Sequence, residues 1–178
     1  NGYTIETKKK SYVYLSLDNS KAVKLDQNTK VKIVKKGSKN EISLVNGELF
    51  FNVSQKLKST EKMTVKTSNI SMGIRGTSGV MGVRVELNDE GEIVGNTHYV
   101  QMYDGSGEIS YKESGVYGTQ NVTLPAGKQI VTGVSTAVST TALDIMSMPS
   151  FAISELLADD SLYERFKNDT GIDKSALE

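Results

Sequence analysis

The sequence predicts a mainly β protein, a two-sheet antiparallel sandwich or roll of the jelly-roll kind, with a short helical extension at its C-terminus. Apolar and polar residues alternate over most of the chain, which is typical of half-buried strands. The composition agrees, because 16 of the 178 residues are Gly, only 2 are Pro and Trp is absent, as in turn-rich β proteins. Helical periodicity begins only at Pro149.

The chain before residue 37 consists of predicted short strands joined by polar turns. Val13, Leu15 and Leu17 alternate with polar and aromatic residues, and the following segments continue the pattern after two turns that contain Asp and Asn. In the last of these strands we expect one solvent-facing row of lysines that could contact an anionic partner: Lys30, Lys32 and Lys35.

Residues 42–85 organise the rest of the chain. Asn46-Gly47 lies between two apolar runs and predicts a hairpin, because both central residues of a type I′ turn have positive φ. After this turn, Leu49, Phe51 and Val53 alternate with a mixed set of polar and apolar residues. The pattern therefore predicts a strand with one fully apolar face.

A glycine-rich segment, GIRGTSG at residues 73–79, interrupts strand-like sequence. Glycine within a strand pattern usually marks a bulge, a bend or a close approach of two backbones. We expect a tight bend at Gly76 that places Arg75 and Thr77 on opposite faces. The spacing does not match a phosphate-binding loop, and strand-like sequence rather than a helix follows it.

Two more turns divide the strands after this bend. Residues 88–91 (NDEG) predict a hairpin, whose return strand covers residues 93–103. Residues 104–107 (DGSG) predict a second reversal into the strand at residues 108–111. The last apolar pattern of the β region lies within residues 122–131.

These motifs, in this order, resemble the FecR domain family. The resemblance rests on the Asx-Gly turn between two apolar strands, the VKTSN turn at residues 65–69, and the strand that runs into GIRGT. It covers roughly residues 13–131, with Asn19 where the family usually has a turn glycine. The resemblance implies a structural role for the family-motif residues: Asn46, Gly47, Gly73, Arg75, Gly76, Thr77 and Gly127.

The resemblance also implies a function. FecR-type domains lie outside the cytoplasmic membrane, and the best-known members relay the state of an outer-membrane receptor to a membrane-bound regulator of an alternative sigma factor. It therefore implies a non-enzymatic sensing or protein-interaction module in a membrane-anchored regulator, with a protein or cell-envelope partner. Two alternatives stay open: a module that binds the cell wall or an anionic glycan through the lysine row, and a structural adhesin-like domain.

The residues themselves do not indicate a catalytic centre. His98 is the only histidine and lies within a predicted strand, where we expect a packed or half-exposed structural imidazole. There is no nucleophile-elbow Gly-x-Ser-x-Gly, and the absence of Cys excludes thiolate catalysis and disulfides. The acidic turns at residues 88–90 and 104–108 offer too few oxygens for calcium. We therefore expect no enzyme activity, no metal site and no cofactor.

The charge distribution and the hydropathy limit the partners and the cellular location that we expect. The formal net charge is zero, but residues 1–66 carry a charge near +8 and the remainder a charge near −8. Such opposite charges would attract each other where the two halves pack. The lysine run at residues 8–10 lacks the Arg and aromatic residues of a nucleic-acid surface. No apolar run of about 18 residues is present. We expect an extracytoplasmic location, at the cell surface or in the periplasm, with any anchor outside this sequence.

The composition changes after Gly133, which suggests a division of the chain. We expect residues 1–133 to form the FecR-like β domain, and residues 134–178 to form an edge segment followed by helices docked on that domain. Residues 134–141 are small, polar or β-branched, as in an extended edge. Ser150 can cap a first helix and Asp159 or Asp160 a second, which Gly171 ends.

Overall fold

The computed structural model describes residues 2–113, 115–133 and 138–178, and the fold is mainly β, with 53% strand and 15% helix. The strands are β1 (Gly2–Glu6), β2 (Val13–Asp18), β3 (Lys21–Leu25), β4 (Lys30–Lys36), β5 (Lys39–Val53), β6 (Lys62–Lys66), β7 (Ile70–Ile74), β8 (Ser78–Leu87), β9 (Ile93–Asp104), β10 (Ser106–Tyr111), β11 (Gln120–Pro125), β12 (Lys128–Thr132) and β13 (Ser139–Ala142). The helices are α1 (Ser150–Ala158) and α2 (Asp160–Thr170), with short 3-10 turns at Ile145–Ser147 and Lys174–Ala176.

The strands form two sheets that share β5. In sheet A the order is β1-β4-β5-β6-β7-β10-β11, and in sheet B it is β2-β3-β5-β8-β9-β12-β13. The pair β5–β6 is parallel, whereas the other pairs of described strands are antiparallel. Together the strands form a large sheet that is nearly closed into a barrel. The predicted mainly β, two-sheet class is thereby confirmed.

The interior between the sheets is filled by the apolar sides of the alternating strands. Leu49 and Phe51 of β5 are fully buried there, with Met81 of β8 and Met102 of β9. On β5, the residues that alternate with Leu49 and Phe51 point to the outer face of the sheet, because successive side chains of a strand alternate between faces. Burial of this apolar surface is the main stabilising contribution to the sandwich.

The two helices cover the outer face of sheet B. Phe50 of β5 and Tyr103 of β9 form a second buried cluster with Phe166 of α2, and the rings of Tyr103 and Phe166 meet edge to face at 5.8 Å. Asp159 caps α2 by accepting a hydrogen bond from the Leu162 N–H (3.0 Å). The part of sheet B beneath the helices is thus buried on both faces, which explains why the outward face of β5 includes a phenylalanine.

Asn46-Gly47 does not form the predicted hairpin. Strand β5 continues through it, leaving sheet A, where it pairs with β4, and entering sheet B, where it pairs with β3 and β8. Gly47 has φ +86, and the register with β4 shifts beside Asn46. The positive φ that suggested a turn is used for a bulge that moves the strand between sheets.

Asp104-Gly105 was likewise expected to reverse the chain, and this expectation is wrong in the same way. The residues connect β9 in sheet B to β10 in sheet A, and these two strands do not pair with each other. Gly105 has φ +68. By contrast, residues 88–91 form the predicted hairpin between β8 and β9, in which Asn88 Oδ1 accepts hydrogen bonds from two backbone N–H groups.

The predicted extended segment at residues 134–141 is only partly described. Residues 134–137 lie outside the described part of the chain, and Ser139–Ala142 forms β13 at the edge of sheet B, paired with β12. The division into residues 1–133 and 134–178 remains a prediction.

A buried ion pair joins α1 to sheet B. The ammonium group of Lys24 on β3 lies 2.7 Å from a carboxylate oxygen of Glu155, to which Tyr14 also donates a hydrogen bond. The rings of Tyr12 and Tyr14 lie 4.9 and 5.2 Å from the same ammonium. Burial lowers the pKa of Lys24, but the hydrogen bond and charge of Glu155 outweigh it, so the pKa is raised overall.

Replacing Glu155 with Ala is expected to lower the free energy of unfolding by about 2 kcal/mol, because Lys24 would keep its aromatic contacts but lose its counter-charge. Urea unfolding of the purified protein measures the loss. The double variant Lys24→Met/Glu155→Leu should recover most of it, since an apolar pair of similar volume often replaces a buried ion pair at little cost. A double variant as unstable as Glu155→Ala alone would contradict this explanation.

Candidate functional site

Three glycine corners lie together at one end of the sandwich. Gly76 joins β7 to β8, Gly105 joins β9 to β10, and Gly127 joins β11 to β12, all with positive φ. The Ala126 N–H donates to the carbonyl of Gly105 (2.8 Å), and the methyl group of Thr77 packs so closely on Gly105 that a Cβ there would lie 2.7 Å from it. The close backbone approach predicted for GIRGTSG therefore occurs, between separate corners of the chain.

A depression opens beside these corners on the outer face of sheet A. It has a volume of about 590 Å³, and a second depression of about 400 Å³ adjoins it and shares Gly73, Arg75 and Glu108 as lining residues. Gly73 faces outward on β7, and a Cβ built there would meet nothing within 4 Å. The missing side chain thus leaves a continuous channel, here called the Gly73 trough: the two depressions lined by Lys39, Lys56, Lys62, Gly73, Arg75 and Glu108.

The trough is predominantly cationic. Lys39, Lys56, Lys62 and Arg75 are exposed, and within residues 2–113, 115–133 and 138–178 none of the four has an ion-pair partner. The acidic residues at its margin have other partners. Glu61 lies 3.0 Å from the ammonium of buried Lys21, and Glu108 accepts a hydrogen bond from the Thr123 hydroxyl (3.1 Å).

Two of these lysines face each other across neighbouring strands. Lys39 of β5 and Lys62 of β6 are register partners in the parallel pair, so their side chains project from the same face. Like charges opposite each other in a sheet are destabilising. Further along the same face, Lys66 is neutralised by Glu41 at 2.8 Å, but the Lys39–Lys62 pair has no such acid among the described residues. The arrangement can bind an anion at little structural cost.

The structure brings together four of the seven family-motif residues. Gly73, Arg75, Gly76 and Thr77 all line the Gly73 trough. Of these, Arg75 is exposed and Thr77 is buried. The hydroxyl oxygen of Thr77 has no hydrogen-bond partner among the described residues.

The other three motif residues lie elsewhere. Gly127 is at the same end of the sandwich but outside the trough. Asn46 and Gly47 lie towards the opposite end, because Gly47 pairs with Val83 whereas Asn52, on the same strand, pairs with Ser78 beside the bend. Asn46 donates a side-chain hydrogen bond to the carbonyl of Asn28 (2.7 Å).

The predicted lysine row does not form one face. The register of β4 with β5 is regular from Val31 to Lys36, so side chains alternate without interruption and Lys32 and Lys35 point to opposite faces. Lys30 lies beside a register shift, 3.5 Å from Glu6. Lys30 and Lys32 are two residues apart, as one face of a strand requires, but the three-residue step from Lys32 to Lys35 changes the face. An interaction through any of these lysines stays a prediction.

Sequence reasoning missed most of the trough. The alternation of Lys62 with Met63 shows that Lys62 faces outward, but no local signal places Lys39 beside it or Glu108 beside Gly73. Lys56 lies in an irregular connection between β5 and β6. These residues meet only because β5, β6, β7 and β10 are neighbours in sheet A.

His98 is buried, with 4% of its surface exposed. It pairs with Val83 and Thr132 on the neighbouring strands, and its Nδ1 has no hydrogen-bond partner among the described residues. Burial lowers the pKa of His98 below its ordinary value of 6.5, because a charged imidazolium loses its hydration there. A neutral imidazole packed between strands agrees with a structural position.

The buried histidine predicts an acid-sensitive stability. Since the folded state resists protonation of His98, the free energy of unfolding should fall as the pH drops below about 6.5, by about 1.4 kcal/mol for each unit by which the folded pKa is lowered. Urea unfolding at about pH 7 and about pH 5 tests this, with His98→Gln as the matched variant. Equal pH dependence in the two proteins would contradict the prediction.

The first acid of the turn at residues 104–107 is occupied by internal contacts. Asp104 accepts hydrogen bonds from the Ser78 N–H (3.1 Å) and hydroxyl (2.7 Å) and from Arg165 Nε (3.0 Å). No group of three or more metal-ligating side chains that could hold a metal occurs in the described ranges. In the same ranges, no helix is both long and apolar enough to cross a membrane.

Another charged cluster, on the outer face of sheet B, is internally satisfied. Arg84 Nε donates to Glu48 (2.6 Å), and the Tyr99 hydroxyl donates to the same carboxylate oxygen (2.7 Å). Burial raises the pKa of Tyr99 well above its ordinary value, and the adjacent Glu48 charge adds to the effect. Its three polar groups bind one another, so we regard this cluster as structural.

The architecture is thus a two-sheet β domain with a charged trough on its surface. The FecR protein family matches residues 3–106, more than half of the chain. The protein belongs to the FecR family, and the sequence-based recognition is confirmed. Proteins of this family are typically membrane-associated. A comparison with curated proteins finds no match.

Solved structures share the fold. Two crystal structures of a "putative anti-sigma factor" from Parabacteroides distasonis ATCC 8503 are similar, each at 17% identity. The 1.65 Å structure has a TM-score of 0.63, with 93% of this chain and 75% of that chain covered. The 2.50 Å structure has a TM-score of 0.61, with 81% of this chain and 61% of that chain covered. The protein thus spans less than two thirds of the latter, and the similarity shows a shared fold.

Proposed function

We propose that the protein is a non-enzymatic, extracytoplasmic sensing and protein-interaction module of FecR type, which relays an external signal within a membrane-anchored regulator. The observation that carries this proposal is the family match over residues 3–106, which contains the glycine bend and much of the Gly73 trough. The similar structures described as anti-sigma factors support the same class of signal-relaying regulator.

The arrangement of polar groups also supports binding rather than catalysis. The single histidine is enclosed between strands, and the buried acid Asp104 is held by Ser78 and Arg165. The open, unneutralised charges lie at the surface, where a protein partner could reach them. The helices cover sheet B, so sheet A offers the free face.

The cellular location of the protein can be tested by thiol labelling, because the chain contains no Cys. Tyr117 is fully exposed, so Tyr117→Cys introduces one accessible thiol without disturbing the core. In intact cells that carry this variant in the full-length gene, we expect labelling by a small sulfonated maleimide that does not cross the cytoplasmic membrane. The unsubstituted protein provides the background. Labelling only after lysis would contradict an extracytoplasmic location.

Signal relay is tested by transcript profiling. Deleting the codons for residues 2–178 from the chromosomal gene is expected to change the expression of genes under one alternative sigma factor and to remove their response to an extracellular inducer. A strain with Tyr117→Cys alone should respond normally. An unchanged transcript profile would contradict the regulatory role, and loss of adhesion without any such change would favour the adhesin-like alternative.

A further inference from the structure

We propose that the Gly73 trough binds an extended peptide segment of a partner protein through two or more of its carboxylates. The proposal rests on the protein-interaction function above and names the chemistry of the partner. It follows from four features of the trough: its unneutralised cations, its length, the bare backbone at Gly73 and the isolated acid Glu108.

The cations supply the driving force. Lys39 and Lys62 are paired across β5 and β6, and Arg75 extends from β7 on the same face, where β7 pairs with β6. Lys56 adds a fourth charge from the neighbouring connection. A bound carboxylate would relieve the repulsion between the paired lysines, and Arg75 can hold a carboxylate through two parallel hydrogen bonds.

The length of the trough favours a chain segment over a single small anion. Its lining residues come from β5, β6, β7 and β10, which are successive strands of sheet A. Three strand spacings span roughly 15 Å, which is the length of four or five extended residues. Gly73, in the middle, lets the ligand backbone lie close to the sheet because no side chain separates them.

The mixed charge favours a peptide over an anionic glycan. Glu108 lies at the end of the trough opposite Lys39, where its register partner is Gly73. A uniformly anionic polymer would be repelled there, whereas a peptide can place an acidic side chain beside Arg75 and a backbone N–H or a basic side chain beside Glu108. Acidic side chains spaced along an otherwise neutral segment match this pattern.

The probe for the test is a short fluorescein-labelled peptide in which glutamate alternates with serine, with the corresponding glutamine peptide as its control. Fluorescence anisotropy at low ionic strength should show binding of the glutamate peptide that is at least about tenfold tighter than that of the glutamine peptide, and added salt should weaken it. Equal binding of the two peptides would overturn the proposal.

Gly73→Phe places an aromatic side chain in the trough, where its Cβ would meet nothing within 4 Å, and aromatic residues have high β propensity. We expect it to weaken peptide binding by about tenfold or more, and Arg75→Ala by about three- to fivefold. Two matched controls test specificity: Ser71→Phe on the same face of β7, and Lys9→Ala at an exposed lysine between β1 and β2 that does not line the trough. Both should bind within about twofold of the parent protein.

Unchanged peptide affinity in both Gly73→Phe and Arg75→Ala would overturn the proposal, and the second variant covers the case in which the first does not fold. Tighter binding of polygalacturonate than of the peptide, lost in the same variants, would assign the trough to a glycan instead. Failure of peptide binding would leave the regulatory role intact, since transcript profiling tests that role separately.

Discussion

Gly47→Ala is expected to lower the free energy of unfolding by about 3 kcal/mol. An L-residue is strained at φ +86. In addition, a Cβ at this position would lie 2.3 Å from Thr29 Oγ1 and 2.6 Å from Thr29 Cα. Backbone atoms cannot rotate away as a flexible side chain can, so β4 or β5 must shift.

Gly37→Ala is the matched control for this prediction. Gly37 also has positive φ, +59, but a Cβ there would meet nothing within 4 Å. Gly37→Ala should therefore lower the free energy of unfolding only by the strain of an L-residue at positive φ, about 1 to 2 kcal/mol. Urea unfolding of both variants isolates the contribution of the close approach to Thr29. Equal losses in the two variants would show that the close approach to Thr29 adds no cost, and would contradict the prediction.

Asp104→Ala is expected to lower the free energy of unfolding by about 3 to 5 kcal/mol, because it removes the shared acceptor of three hydrogen bonds at a buried position. The carboxylate joins β9 to the start of β8 through Ser78 and to α2 through Arg165, and Arg165 also donates to Asn52 at 2.7 Å. Without it, the Ser78 N–H and hydroxyl lose this acceptor, and the Arg165 guanidinium loses its counter-charge. Thermal and urea unfolding measure the loss.

An exposed aspartate provides the comparison. Asp89 lies at the surface of the β8–β9 turn, and Asp89→Ala should change the free energy of unfolding by no more than about 0.5 kcal/mol. Hydrogen exchange offers a second measurement, since α2 should lose protection before the interior strands in Asp104→Ala. A loss below about 1 kcal/mol together with unchanged protection of α2 would refute the prediction.

Gly47→Ala and Asp104→Ala both lie at corners where the chain passes from one sheet to the other. These corners show the limit of sequence reasoning. At Asn46-Gly47 and at Asn88–Gly91 the sequence offers similar turn residues, yet only the second forms a hairpin. A positive φ at glycine serves a bulge or a change of sheet as well as a turn. Which one occurs depends on pairing partners that are distant in sequence.

The Gly73 trough shows the same limit at the level of the site. The sequence indicated Gly73, Arg75, Gly76 and Thr77 as one motif because they are consecutive or nearly so. It could not indicate Lys39 or Glu108, which reach the trough from strands 34 residues before and 35 residues after Gly73. The prediction of a single lysine row on β4 is wrong for a simpler reason: strict alternation of side chains places Lys32 and Lys35 on opposite faces.

The sequence by itself determined the mainly β class, the alternating apolar faces, the bend at Gly76 and the helices that begin after Pro149, because each depends on backbone preference and on hydrophobic periodicity over a few residues. Only the tertiary structure decided which glycine turns carry a strand from one sheet to the other, which face the helices cover, and which cations meet around Gly73. Those outcomes depend on strand order and register, which are set by contacts between segments far apart in the chain.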